Sequence, residues 1–478
     1  MQYKANRRKL WRLTASICAL SMFMPNTIGY AAGTDAAASV ETTSPIKHVI
    51  ILIGENRGLD HTFGVYKPKG KGQTISNILS KSIVNLDGTP GPHYTLAQQY
   101  SVSPQPSYYI GAPKKYKIPY SASNLMPQPN TAGAPSAQSA TGAPFATVTE
   151  ASVESDIEKK DLSLLTTGAT GLPTGALDTR IPGAGTLSGP FPLLGPNISD
   201  DDYTGDTTHR FFQAWQQQDC NLSLATKNNP SGCLNDLFPF VMATYSATNK
   251  SQGNAMGFYN AELEEASVLK SLADRFTLSD NFHQSVLDGT AANHVMLGTG
   301  DAVFWSDGNG NAITPPASQI ANPNPVSGTV NKYTGDNNFV NCSDVTQPGV
   351  EPIVTYINSL SYAAEPNCKE GHYYMVNNTN PAYLPNGAPA ATGTLPPSHV
   401  KTIGDELTHK KISWAYYGGA YNDAVILSNE AVAANPANPN LSTAALNDPA
   451  HALGVAYCQI CNPFQYATSI MATALRVK

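Results

Sequence analysis

HVIILIGENRGLDHTFG, residues 48–64, sets five consecutive apolar side chains, Val49 to Ile53, directly against Gly54 and the polar triplet Glu55-Asn56-Arg57. An unbroken apolar run of this kind reads as a strand over 46–53, buried on both faces. A carboxylate and an amide in succession cannot both enter a core. Ligand sites of open α/β sheets gather outside the carboxyl ends of the strands. There, two side-chain oxygens can converge on a hard cation. The plainer reading leaves Asn56 in a turn and Glu55 paired with Arg57.

A second polar strand end follows in SDNFHQSVLDGTAANHVMLG, residues 279–298. Phe276 to Leu278 is expected to be a short strand, and Ala291 to Leu297 to begin a helix. Between them Gly289 precedes Thr290. The start of a helix carries a positive field and unpaired N–H groups, a setting that binds phosphate and favours an alkoxide. Thr290 is therefore either a helix cap or, beside a divalent cation, a nucleophile toward phosphorus. Asn293 and His294, one turn on, either offer donors to a phosphate oxygen or are ordinary surface residues.

The rest of the chain narrows the class. The composition, 41% hydrophobic and only 13% charged residues, argues against a coiled coil or a cationic nucleic-acid binder. Lys4, Arg7, Arg8, Lys9 and Arg12 precede the apolar run Leu13 to Met24, and small residues follow at Gly29 to Ala32. This is the pattern of a signal peptide over 1–32. The Arg7-Arg8 pair is compatible with twin-arginine as well as general export, so the expected location is periplasmic or secreted. Cleavage would remove five positive charges and no negative ones, taking the net charge from −6 to −11. An acidic mature chain disfavours a nucleic-acid partner, and no stable membrane span is expected.

Six cysteines remain after the leader: Cys220, Cys233, Cys342, Cys368, Cys458 and Cys461. An even number in an exported chain suggests disulfides. Of the 15 connectivities open to six cysteines, sequential pairing is the simplest. Cys458 and Cys461 are spaced C-x-x-C, but a redox role needs a βαβ context and zinc needs a second pair, so a local staple is the preferred reading.

Organisation follows composition. Residues 33–45 read as a flexible tether. Residues 66–205 are rich in Pro, Ser and Ala and read as an insertion or cap, partly ordered by Tyr108, Tyr109 and Phe145. Phe211, Phe212 and Trp215 have helical spacing. Asn260 is a plausible N-cap for a helix whose apolar face is Leu263, Ala266, Leu269 and Ala273. Residues 306–350 form a loop-rich insertion. Thr402 caps a helix containing Ile403 and Leu407, and Ile412 to Tyr417 is the following strand. Residues 462–478 are expected to be helical. Helices alternating with short apolar strands indicate an α/β sandwich.

Taken together, these segments resemble the bacterial phosphoesterase family that contains phospholipases C and acid phosphatases. HVIILIGENRGLDHTFG is similar to its N-terminal signature, and DNFHQSVLDGTAANH to its second. TIGDELTHKKISWAYYGG and CNPFQYATSIM resemble two later segments, in the same order. The resemblance implies an alkaline-phosphatase-like three-layer sandwich with a mainly parallel central sheet, spanning residues 46–478. It implies hydrolysis of phosphate esters, either a small phosphate monoester or a phospholipid head group, through a metal-activated hydroxyl. Carried over, Glu55, Asn56 and Thr290 are ligands of one divalent metal ion, Thr290 is the nucleophile, and Asn293 and His294 face the phosphate. Arg57, Asp60 and His61 match the motif and are expected to support the ligands.

The family pattern also has a later Asp-Glu, Gly-Gly segment that completes the metal site, and the sequence holds no counterpart. Asp405-Glu406 is an acidic pair, but it lies in the first turn of the Thr402-capped helix, where carboxylates favour the macrodipole. The expectation is a C-terminally truncated domain with a weakened metal site. The competing reading is a catalytically impaired remnant, or a non-catalytic binding protein of the same fold. A sulfatase-like relative would need a C/S-x-P-x-R motif, which the sequence lacks.

Overall fold

The computed structural model describes residues 44–54, 58–105, 108–127, 181, 187–193, 207, 209–245, 255–260, 268–287, 289–325, 331, 333–335, 337–362, 367–390, 394–419, 421–436 and 457–473. The chain divides into two units, Met1–Asn56 and Arg57–Lys478.

In the first unit, the described residues 44–54 form no regular element. Ile50 is 92% and Leu52 87% exposed. The strand expected over 46–53 is therefore not formed. A strand must exchange its backbone hydrogen bonds with another strand, and no described strand contains a residue of this run.

The second unit mixes helices with small sheets, a content compatible with the α/β class. Its described strands pair two by two. β1 (Tyr100–Val102) and β2 (Lys117–Pro119) are antiparallel, and β3 (Phe191–Pro192) lies parallel to β4 (Gly257–Phe258). β5 (Asn322–Pro325) with β6 (Tyr333–Gly335), and β7 (Phe339–Val340) with β8 (Tyr374–Met375), are antiparallel. The helices are α1 (Leu59–Phe63), α2 (Phe211–Gln218), α3 (Phe238–Thr244), α4 (Val268–Arg275) and α5 (Thr290–Thr299). They continue with α6 (Val350–Asn358), α7 (Ile403–His409), α8 (Tyr421–Ala434) and α9 (Thr468–Met471). No helix among the described residues is long and apolar enough to cross a membrane.

Two more expected strands are absent. Phe276 to Leu278 is irregular, with Phe276 exposed, and Ile412 to Tyr417 belongs to no ladder among the described residues. The second segment is held by side chains instead of a ladder. The Trp414 Nε1 donates to Thr408 Oγ1 at 2.9 Å, and the indole packs on Phe464 with centroids 4.8 Å apart. The helix expected near 260 is seen as α4, with Leu269 half exposed and residues 261–267 outside the described set. Asn260 is fully buried, and its Nδ2 donates to the Leu86 carbonyl at 2.8 Å.

The core that matters most surrounds α5. Ala291, Ala292 and Val295 pack against Val303, Trp305, Phe339, Met375, Leu395 and Tyr466. Burying each large apolar side chain contributes about 1.5–3 kcal/mol. Gly298 of this helix is also buried, and a Cβ built on it would stand 2.5 Å from Pro463 Cβ, so only glycine lets the 3₁₀ turn Pro463–Tyr466 approach this closely. The Tyr466 hydroxyl donates to the Thr379 carbonyl at 2.6 Å. β8 is braced on both sides: Met375 N donates to Val303 O at 2.9 Å, and Val376 N to Asn338 O at 2.9 Å. The backbone leaving β8, residues 376–379, is therefore fixed beside α5.

Part of the Pro/Ser/Ala-rich region is well packed. Tyr108 is 2% exposed and meets Phe240 edge to face, while Tyr109 lies against Phe212. Phe145 lies outside the described residues. β2 contributes Lys117, whose buried ammonium contacts Asp219 and binds both Asp236 oxygens at 2.9 and 2.8 Å. The three disulfides pair Cys220 with Cys233, Cys342 with Cys368 and Cys458 with Cys461, the sequential pattern. Residues 463–466 form a 3₁₀ turn and 468–471 a short helix, in place of one continuous helix.

Candidate active site

Thr290 is the first residue of α5 and is buried, with 8% of its surface exposed. Gly289 is the N-cap, in extended conformation, and contributes no side-chain cap. The cap comes from elsewhere in the chain: Asn378 Oδ1 accepts the Ala291 N–H at 2.9 Å. The helix can start at Thr290 because this distant amide satisfies a first-turn donor that a local Ser or Asp would otherwise satisfy.

Asn293 folds back over the turn that carries Thr290. Its Oδ1 accepts from Val286 N at 3.1 Å, and its Nδ2 donates to the Gly289 carbonyl at 3.2 Å. It thus ties Val286 and Gly289 to the first turn of the helix. His294 is half-buried beside it.

The neighbouring asparagine performs the same service for a second helix. Asn377 is 2% exposed; its Oδ1 accepts from Phe211 N at 3.0 Å, and its Nδ2 donates to the Asn337 carbonyl at 2.5 Å. Two successive side chains at the end of β8 therefore cap the first turns of α2 and α5. Sequence patterns pointed to neither residue. The signal was present in Tyr374-Met375-Val376-Asn377-Asn378, a short apolar run that ends in two amides, the same arrangement that drew attention to Asn56.

Glu55, Asn56 and Arg57 lie outside the described residues. Asp60 and His61 are on α1. Burial raises the Asp60 carboxyl above the ordinary carboxylate range, against the opposing charge of Lys81. The His61 carbonyl accepts from Tyr259 N at 2.7 Å, and the imidazole packs against the Tyr259 ring at 4.9 Å. This pair ties α1 to β4.

At the expected strand end before Thr290, Asp280 accepts from Ser76 N at 2.6 Å, and Asn281 contacts His283 Nε2 at 2.9 Å. The rejected acidic pair is committed elsewhere: Asp405 Oδ2 accepts from Thr402 N at 2.7 Å, and Asp405 N donates to Thr402 Oγ1 at 3.1 Å, a complete capping box.

For a metal, the described part of the site offers one of the three expected ligands, the Thr290 hydroxyl. No group of three or more His, Cys, Asp or Glu among the described residues is placed to hold an ion. The described side chains do not by themselves make the oxygen-rich shell that a hard divalent cation takes. What they do make is a buried hydroxyl at the start of a ten-residue helix, in a turn pinned from two directions.

A sequence model of the Phosphoesterase family matches residues 183–457. No curated protein and no solved structure matches the chain. The matched span includes Thr290, Asn293, His294, Asn377 and Asn378, and begins after the segment that carries Glu55 to His61. With more than half of its length matched, the chain belongs to the Phosphoesterase family, and phosphate-ester hydrolysis is the chemistry that membership carries.

Proposed function

We propose that this chain is an exported phosphoric ester hydrolase of acid phosphatase or phospholipase C type, with Thr290 as its nucleophile. The fold proposed for it is the three-layer sandwich of the alkaline-phosphatase superfold. One observation carries the reading: Thr290 is a buried hydroxyl at the first position of α5, inside the family match and adjacent to a glycine.

The chemistry is a two-step displacement. Thr290 Oγ1 loses its proton and attacks phosphorus, forming a P–O bond to the enzyme. The P–O bond to the substrate alcohol breaks, and the alcohol leaves with a proton. Water then attacks the phosphorylated threonine and returns the hydroxyl, releasing inorganic phosphate from a monoester or a phosphomonoester from a diester. The helix start stabilises negative charge as it forms on the phosphoryl oxygens. Asn293 holds the turn so that the hydroxyl keeps one direction, and His294 offers a donor from the next turn. Glu55 and Asn56 are proposed to join Thr290 in holding a divalent cation, which when bound supplies positive charge that lowers the pKa of the hydroxyl.

The acidic mature composition supports a small, soluble phosphate ester over an anionic membrane surface as the substrate source. The test is hydrolysis of p-nitrophenyl phosphate and p-nitrophenyl phosphorylcholine by the purified chain, with and without added divalent cations. Turnover that disappears in Thr290→Ala supports the reading. A folded chain that turns over neither ester with any cation is instead the non-catalytic member of the fold.

A further inference from the structure

Asn378 does more at the start of α5 than a cap requires. Its Oδ1 accepts the Ala291 N–H at 2.9 Å. A backbone N–H needs an acceptor, so the amide can face it only with its oxygen, and Nδ2 must turn the other way. Ala291 is the one described hydrogen-bond partner of the side chain, which leaves both Nδ2 hydrogens unused among the described residues. Asn378 is half-buried, not sealed in the core. A Cβ built on Gly289 would lie 2.8 Å from Asn378 Oδ1 and 3.4 Å from its Cγ, so the amide plane rests against the glycine immediately before Thr290.

The choice of side chain is informative. Asp, Ser and Thr also cap helices well, and a carboxylate would gain from the dipole. Each would take the Ala291 N–H out of reach of an anion. Asparagine takes one donor and returns two, and adds no negative charge beside a hydroxyl that attacks an anion.

We infer that Asn378 is a substrate-contacting residue: Oδ1 anchored on the Ala291 N–H, and Nδ2 donating to a non-bridging oxygen of the phosphate ester that Thr290 attacks. This rests on the reading of Thr290 as nucleophile. Asn377, bonded to Phe211 N and Asn337 O, fixes the backbone from which the amide projects.

The test compares the wild-type chain, Thr290→Ala, Asn378→Asp and Asn378→Ala in three measurements. These are p-nitrophenyl phosphate turnover against pH, affinity for inorganic phosphate, and thermal unfolding. Asn378→Asp keeps an acceptor for the Ala291 N–H, so its unfolding temperature stays close to wild type. Its kcat falls about 100- to 1000-fold at neutral pH, as when one donor to a developing oxyanion is lost. The ratio to wild type recovers as the pH falls toward about 4, where a protonated carboxyl donates again. Phosphate affinity, which needs no turnover, falls in parallel. Asn378→Ala loses both activity and stability at every pH. Asn378→Asp that binds phosphate as tightly as wild type, or whose loss of activity only tracks its unfolding, overturns the inference. Turnover unaffected in Thr290→Ala, or none in the wild type, instead overturns the reading of the nucleophile, and phosphate affinity still decides the role of Asn378.

Discussion

At the scale of single residues, charge is concentrated where it is most expensive. Lys117, Asp219 and Asp236 are buried together, two carboxylates against one ammonium, with the Lys117 Nζ 5.4 Å from the Tyr100 ring centre. Burial first, and then the Asp219 charge, push the Asp236 carboxyl up to about 7, with Lys117 opposing. A folded-state pKa above the unfolded one means that folding takes up a proton. The stability is fully present below the unfolded value, about 4, and is lost as the pH rises through 7. Unfolding temperature measured from pH 5 to pH 8 is expected to fall, and Asp236→Asn to flatten the slope. A slope unchanged in Asp236→Asn would place the titrating group elsewhere. The legibility of single residues was uneven. Thr290 stood out because glycine and a helical pattern flank it. Asn378 did not, because its partner Ala291 is 87 residues away and nothing local marks a cap supplied from another strand.

At the scale of elements, helices were read more faithfully than strands, and the reason is physical. A capped helix satisfies its backbone within a few residues. Thr402 and Asp405 bond each other reciprocally, and the Ile403–His409 helix starts where the sequence placed it. Thr402→Ala removes half of that box and is expected to cost about 0.5–2 kcal/mol in urea unfolding; a change within error would show that tertiary packing holds the helix alone. Strands need distant partners, and apolar runs look the same with or without them. Val49 to Ile53 and Ile412 to Tyr417 have the composition of interior strands, yet they belong to no described ladder. The short strands that do form, such as Phe339–Val340 with Tyr374–Met375, are too brief to announce themselves by alternation. One of them positions the site, since β8 runs into Asn377 and Asn378.

At the scale of the whole molecule, the framework of disulfides was legible from number and order alone. Closing the 26-residue separation of Cys342 and Cys368 removes more unfolded-chain freedom than closing the 3-residue separation of Cys458 and Cys461. On the chain-entropy scale the first is worth about 3.5 kcal/mol and the second about 1.6. Replacing the Cys342 and Cys368 pair by serine is therefore expected to lower the denaturation midpoint more than replacing Cys458 and Cys461; the reverse order would show that native packing around the C-x-x-C loop dominates. The family match runs through all three pairs except Cys458–Cys461, which lies just past its end. It contains Thr290 and Asn378 but not Glu55 and Asn56.

The most direct measurement is of the covalent intermediate. The chain is mixed with p-nitrophenyl phosphate, quenched in acid during turnover, digested and examined by mass spectrometry. A phosphoryl group on Thr290, absent from the unreacted chain and from Thr290→Ala, is the predicted result. Sustained release of p-nitrophenol with no adduct at Thr290, and at an equal rate in Thr290→Ala, would contradict it.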